Sequence, residues 1–169
     1  MSSTTFSGPV RSENGFQTVA KDSTTGEVTV VTNVGAAPVA LANTNVTLTA
    51  VANSGVVNLI PDGAQANTFT LPTPVAGVSY RFVYAGGAAD ASNHVITTGS
   101  DLKYFVGGVT FLDTDTDVIA MVYSDGNSNS KLTLNVLGGC DITFLGTSAT
   151  TYQVFGYVNA NTVPAFADQ

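Results

Sequence analysis

"VIAMVYSDGNSNSKLTLNVL", residues 118–137, decides the class of fold. The polar run "DGNSNS" separates the apolar run "VIAMVY" from "KLTLNVL", in which apolar residues recur at every second position. A period of two places one row of side chains on one face of a strand, whereas a helix would need a period near 3.6. Two apolar-rich runs flanking a Gly- and Asn-rich loop read as a β-hairpin.

The same pattern extends outward in both directions. Upstream, "FQTVA" (16–20), "EVTVVTNV" (27–34), "VTLTAV" (46–51), "VVNLI" (56–60) and "NTFTL" (67–71) are each bounded by turn residues. "VSYRFVY" (78–84), "HVITT" (94–98) and "YFVGGVTFL" (104–112) follow, the last with a Gly pair that suggests a bulge or a hairpin turn. Downstream, "KLTLNVL" (131–137) is expected to stop at Gly138-Gly139, before "DITFLG" (141–146) and "TYQVFGYVN" (151–159). Only "PTPVAG" (72–77) has a helical flavour, one turn at most. No two stretches are similar enough to read as a repeat.

Short strands at this spacing predict an all-β fold rather than βαβ units. The expected architecture is an antiparallel β-sandwich, jelly-roll-like, with a small β-barrel as the alternative on the same periodicities. Residues 1–15 read as an extended N-terminal arm and 16–169 as a single β-sandwich domain, with Phe16 beginning the sandwich.

Composition narrows the function. Of the 169 residues, 44% are hydrophobic and 10% charged, against roughly 25% charged in an ordinary globular chain. Thr, Ser and Asn must therefore make the polar surface. The net charge of −7 disfavours nucleic acid, whose phosphates need Lys and Arg, and anionic membrane surfaces. No basic and apolar leader opens the chain, so no secretory signal is expected. The uncharged runs are broken by Gly, Asn, Pro and Thr, so none reads as a membrane helix. The sequon "NVT" (45–47) reads as strand sequence.

Catalytic patterns are scarce. Cys140 is the one cysteine; among apolar strand residues it reads as a small buried hydrophobe, not a reactive thiol. His94, the one histidine, has no carboxylate at ligand spacing and reads as a strand residue. There is no Gly-x-Ser-x-Gly elbow and no phosphate loop. "DTDTD" carries Asp113, Asp115 and Asp117, alternate carboxylates like those opening a calcium loop. The positions where such a loop needs Gly and Glu hold Val118 and Ser124, so a solvated acidic turn is the better reading. The chain reads as a non-enzyme with no cofactor.

Two segments then combine. "STTFSGPVRSENGF" (3–16) and "FTLPTPVAGVSYRFVYAGGAADASNHVITT" (69–98) resemble segments of tailed-bacteriophage capsid decoration (cement) proteins. In the first, a Phe-Ser-Gly-Pro-Val run precedes Asn-Gly-Phe. In the second, Leu-Pro and a Gly-containing turn precede an aromatic strand, a loop and a Val-Ile-Thr strand. The resemblance implies a β-rich homotrimer made in the bacterial host cytoplasm and located on the capsid exterior of the virion. There it would bind the major capsid protein and stabilise contacts between its subunits.

An extended arm suits such a role, because a strand added to a sheet edge gains backbone hydrogen bonds while side chains fill pockets. Phe6 and Val10 are the expected anchors, Pro9 sets the backbone and Arg11 is a charged contact. Two alternatives stand beside this reading. One is a phage head-fibre, tail or receptor-binding β protein. The other is a carbohydrate-binding β-sandwich, which the absence of Trp disfavours.

Overall fold

A computed structural model describes residues 12, 15–87 and 91–169. The chain is all-β, a sandwich of two sheets preceded by a two-stranded ribbon. The ribbon pairs β1 (Phe16–Lys21) with β2 (Val28–Val34), antiparallel, with a register shift between Thr18 and Val19. Phe16 thus opens a separate ribbon and not the sandwich. The reason is that β1 has no inward face: all six of its residues are exposed.

The next six strands are β3 (Val39–Ala40), β4 (Val46–Thr47), β5 (Val57–Ile60), β6 (Thr68–Thr70), β7 (Ser79–Tyr84) and β8 (His94–Thr97). They alternate between the two sheets. β3, β5 and β7 lie side by side in one, all parallel, and β4, β6 and β8 do the same in the other. Parallel neighbours need a crossover between them. Here each crossover is a strand of the opposite sheet, so the chain winds as a three-turn coil. One helical turn, α1 (Ala50–Asn53), interrupts the coil between β4 and β5, capped by the Thr49 hydroxyl. No helix forms at "PTPVAG".

The second half supplies β9 (Tyr104–Asp113), β10 (Ile119–Tyr123), β11 (Lys131–Leu134), β12 (Leu137–Gly146), β13 (Thr151–Ala160) and β14 (Ala165–Ala167). The seven-stranded sheet runs β10-β9-β13-β12-β7-β5-β3, and the five-stranded sheet runs β14-β11-β8-β6-β4. β9–β10 and β12–β13 are antiparallel hairpins, while β13 runs parallel to β9. The expected antiparallel ladders are therefore joined by parallel ones.

Residues 118–137 do not form the expected hairpin. β10 belongs to the seven-stranded sheet and β11 to the five-stranded one. Their polar loop crosses between sheets, organised by Asp125, whose carboxylate accepts the amides of Asn127, Ser128 and Asn129 at 3.0–3.1 Å. Alternation says which side chains face the core; it does not say from which side they reach it. "KLTLNVL" is also divided, with Val136 at φ 44° turning the chain from β11 into β12. β12 then runs through Gly138-Gly139 as a bulge. The pair Gly107-Gly108 sits inside the continuous strand β9 and makes no turn.

Inward rows fill the core. Across the five-stranded sheet, Val46, Phe69, Ile96, Leu132 and Phe166 stand in register. They meet an aromatic cluster on the other sheet. Phe69 lies 6.3 Å from Phe82, and Phe105 lies 5.1 Å from Phe144 and 6.2 Å from Phe166. Each fully buried Phe stabilises the fold by about 1.5–3 kcal/mol through area alone. No helix among the described residues is long and apolar enough to cross a membrane.

Candidate functional site

The outward face of the seven-stranded sheet departs from what alternation would place there. Thr110, Thr143 and Gln153 are the polar residues expected on a solvated face. Beside them stand Phe155 and Tyr157 of β13, each nearly half exposed at 49% and 47%. On the edge strand β10, Ile119, Met121 and Tyr123 are 70%, 50% and 65% exposed. Register joins the two groups into one surface: Met121 pairs with Thr110, Thr110 with Tyr157, and Tyr157 with Asp141.

A shallow cavity of about 350 Å³ opens on this face, lined by Arg81, Asp141, Thr143, Phe155, Gly156 and Tyr157. Arg81 lies diagonally across from Asp141 on adjacent strands, since Thr143 is its direct partner. The guanidinium clasps the carboxylate with two bonds, Nε to Oδ1 at 2.7 Å and Nη2 to Oδ2 at 2.5 Å. Such a fork is the geometry in which Arg recognises carboxylate best. The contact holds the Asp141 carboxyl below its ordinary range and raises Arg81 reciprocally.

Glycine is required at position 156. Its φ is +140°, and a Cβ there would lie 2.1 Å from the Asp141 carbonyl oxygen. The backbone of β13 thus presses onto β12 between Phe155 and Tyr157, and Gly156 itself lines the cavity. At Gly108 a Cβ would lie 2.2 Å from the Val122 carbonyl and 3.1 Å from Cδ1 of the Tyr123 ring, so the ring occupies the space a side chain would need. An aromatic laid against a strand glycine restores the packing that the missing side chain forfeits.

Arg, Tyr, Phe and Met are the residue types enriched where proteins meet one another. Among the described residues the other guanidinium N–H groups have no acceptor, and Phe155 and Tyr157 line the same cavity. This arrangement suits binding. An ionised Asp locked to an Arg is a poor proton donor or acceptor near neutral pH.

A second cavity, about 300 Å³, lies between the ribbon and the sandwich, lined by Val30, Val31, Ala50, Val75 and Tyr80 among others. It is apolar and carries no charged side chain. Burial pushes the Tyr80 phenol at its floor up to about 12.

The residues singled out in the sequence fall as follows. Phe6, Pro9, Val10 and Arg11 lie outside the described residues. Asp113, Asp115 and Asp117 form the β9–β10 turn, where Asp113 Oδ1 accepts the amides of Asp115 and Thr116 at 2.9 and 3.3 Å. Among the described residues, no three His, Cys, Asp or Glu side chains gather as a metal site. Cys140 is buried in the core, and desolvation pushes its thiol up to about 12. His94 is fully buried, its Nδ1 accepting the Asn67 amide at 3.4 Å.

Arg81, Asp141, Phe155 and Tyr157 were not singled out by sequence reasoning. For the two rings the available signal was "YQVFGYV" (152–158), where Phe155 and Tyr157 occupy the polar phase of an alternating strand. No protein family, curated protein or solved structure matches the chain.

Proposed function

We propose that this protein is a structural virion component: a decoration (cement) protein that binds the outer surface of an icosahedral phage capsid. In this reading it acts as a homotrimer and braces neighbouring major capsid protein subunits. Its role is binding rather than catalysis.

The observation that carries the reading is the ribbon. β1 and β2 form a sheet of their own that rests on the sandwich through Val31 and leaves Phe16, Val19, Val28 and Val34 all more than half exposed. A lone two-stranded ribbon is marginally stable in water, and this one directly follows the arm that resembles the decoration family. Asn33 fixes its root, donating through Nδ2 to the carbonyls of Val51 and Ser54 at 2.8 and 3.1 Å. A ribbon held to the sandwich on one side, with these four apolar side chains exposed, is suited to being covered by a partner. Repetition over a capsid then multiplies individually weak contacts.

Copy number tests the role. Quantitative mass spectrometry of purified virions should find on the order of hundreds of copies, as multivalent coverage requires; a handful would mean a fibre or tail part, and none would end the virion reading. Deleting residues 1–15, or substituting Val28→Asp on the ribbon, should weaken co-sedimentation with expanded capsids while leaving the melting temperature nearly unchanged. A loss of stability that precedes the loss of binding would assign both segments to the core instead.

One observation favours a second reading. The cavity beside Tyr157 joins an aromatic face to a charged fork, a combination that carbohydrate-binding sandwiches use. Saturable glycan binding by the isolated protein, lost in Tyr157→Ala, would support it.

A further inference from the structure

We propose that the open edge of β10, Ile119–Tyr123, takes up an extended segment of a partner protein as an added strand, apolar at its centre and carrying Lys or Arg at its ends. The inference does not depend on that partner being a capsid.

The hydrogen-bond pattern identifies the free groups. The Asp113 amide donates to the Val118 carbonyl and the Ser124 amide to the Gly107 carbonyl, both at 2.9 Å. Alternation in an antiparallel pair therefore turns the backbone of Ala120 and Val122 toward β9. It turns the N–H and C=O groups of Ile119, Met121 and Tyr123 outward, where they have no partner among the described residues. The ladder to β9 runs in unbroken register over all five residues.

Open edges are normally blunted by bulges, charge, proline or shortness. The others here follow that rule or are partly covered, as β2 is where the Asn33 amide donates to the Ser54 carbonyl at 3.2 Å. β3 and β4 have two residues each, β14 has three, and β1 has a register shift and ends in Lys21. β10 has none of these protections; its sequence is Ile-Ala-Met-Val-Tyr. It is also continuous with the exposed aromatic face of β13.

Charge selects the occupant. Asp113, Asp115 and Asp117 precede β10, and Asp125 follows it. Among the described residues none of these enters an ion pair, and the basic side chains lie elsewhere. Arg81 holds Asp141, Lys103 donates to Thr73, Lys21 is on the ribbon and Lys131 is in the other sheet. A second copy paired antiparallel about Met121 would set Asp117 against the partner's Asp125, acid against acid. A strand with basic ends instead meets opposite charge at both ends, which steers association and fixes register.

The test uses the full chain and a fluorescein-labelled peptide, Lys-Arg-Val-Thr-Val-Thr-Val-Arg-Lys, with a control carrying Glu at all four basic positions. Anisotropy should show saturable binding of the basic peptide, weakening with salt, and at least about tenfold weaker binding of the acidic one. Hydrogen exchange should show new protection at the Ile119, Met121 and Tyr123 amides. Met121→Pro removes an outward N–H that β9 does not use, a position where an edge strand tolerates proline. Met121→Lys adds a charge to the edge without touching the backbone. Either variant should lose binding about tenfold or more while keeping the wild-type circular dichroism and melting temperature. Equal binding of both peptides, unchanged binding by a folded Met121→Lys variant, or protection mapping elsewhere would overturn the proposal. So would a concentration-dependent dimer that Met121→Lys dissociates, since the occupant would then be a second copy.

Discussion

At the scale of single residues, the structure separates polar groups enclosed in the core from those paired across the exposed sheet face. Cys140 and His94 belong to the first kind, both enclosed, the thiol packed in the core and the imidazole accepting the Asn67 amide. Arg81 and Asp141 belong to the second. Because Arg81 is half exposed, solvent screens the pair and its worth to folding is at most about 1 kcal/mol. Its consequence for titration is clearer. Arg81→Gln should raise the Asp141 carboxyl back toward the ordinary value of 3.8, read by carbon-detected NMR of the carboxylate. The urea midpoint should move little. A carboxyl that titrates identically in the variant would mean that the fork does not persist in solution.

At the scale of elements, the β4–α1–β5 corner shows how a coil of parallel strands satisfies its own backbone. Asn58 is fully buried in β5. Its Nδ2 donates to the carbonyls of Asn53 and Arg81 at 3.0 and 3.2 Å, and its Oδ1 accepts from Asn53 Nδ2 at 2.8 Å. Asn53 Oδ1 in turn accepts the Thr49 amide at 2.9 Å. Truncation leaves these partners enclosed and unsatisfied, a cost of about 2–3 kcal/mol. Asn58→Ala should therefore lower the melting temperature by roughly 5–10 °C for a chain of this size. Leucine should not rescue it, because added apolar volume cannot satisfy the orphaned amide. Rescue by leucine, seen in a thermal melt, would mean that the site is governed by packing alone.

At the scale of the molecule, charge sets the response to acid. Asp22, Asp113, Asp125 and Asp141 are all held below the ordinary carboxylate value of 3.8, the first three by turn amides and hydroxyls and the last by Arg81. The unfolded chain then binds protons more readily than the folded one, so stability rises with pH across this window. Denaturant midpoints should be level above about pH 5 and fall as pH drops through 4 toward 2. A midpoint that rose on acidification would contradict the carboxylate turns.

The sequence by itself determined that the chain is all-β, and most strand positions, because period-two alternation and turn residues are local signals. It also marked Cys140 as buried, since only apolar strand residues surround it. It did not show the coil. Asn45, Asn67 and Asn93 each precede a strand of the same sheet, but the parallel registers match residues at unequal separations, so no repeat is visible in the chain. Nor did it show that β10 and β11 part company. Both read locally as apolar-rich strands, and the sheet that each joins is set by long-range pairing, β10 with β9 and β11 with β8 and β14. Tertiary structure alone decided which strand was left at an edge. Phe155, Tyr157, Ile119, Met121 and Tyr123 are ordinary strand residues by propensity. They became an exposed surface because β10 pairs on one side only and nothing in the described chain packs on the outer face of β13.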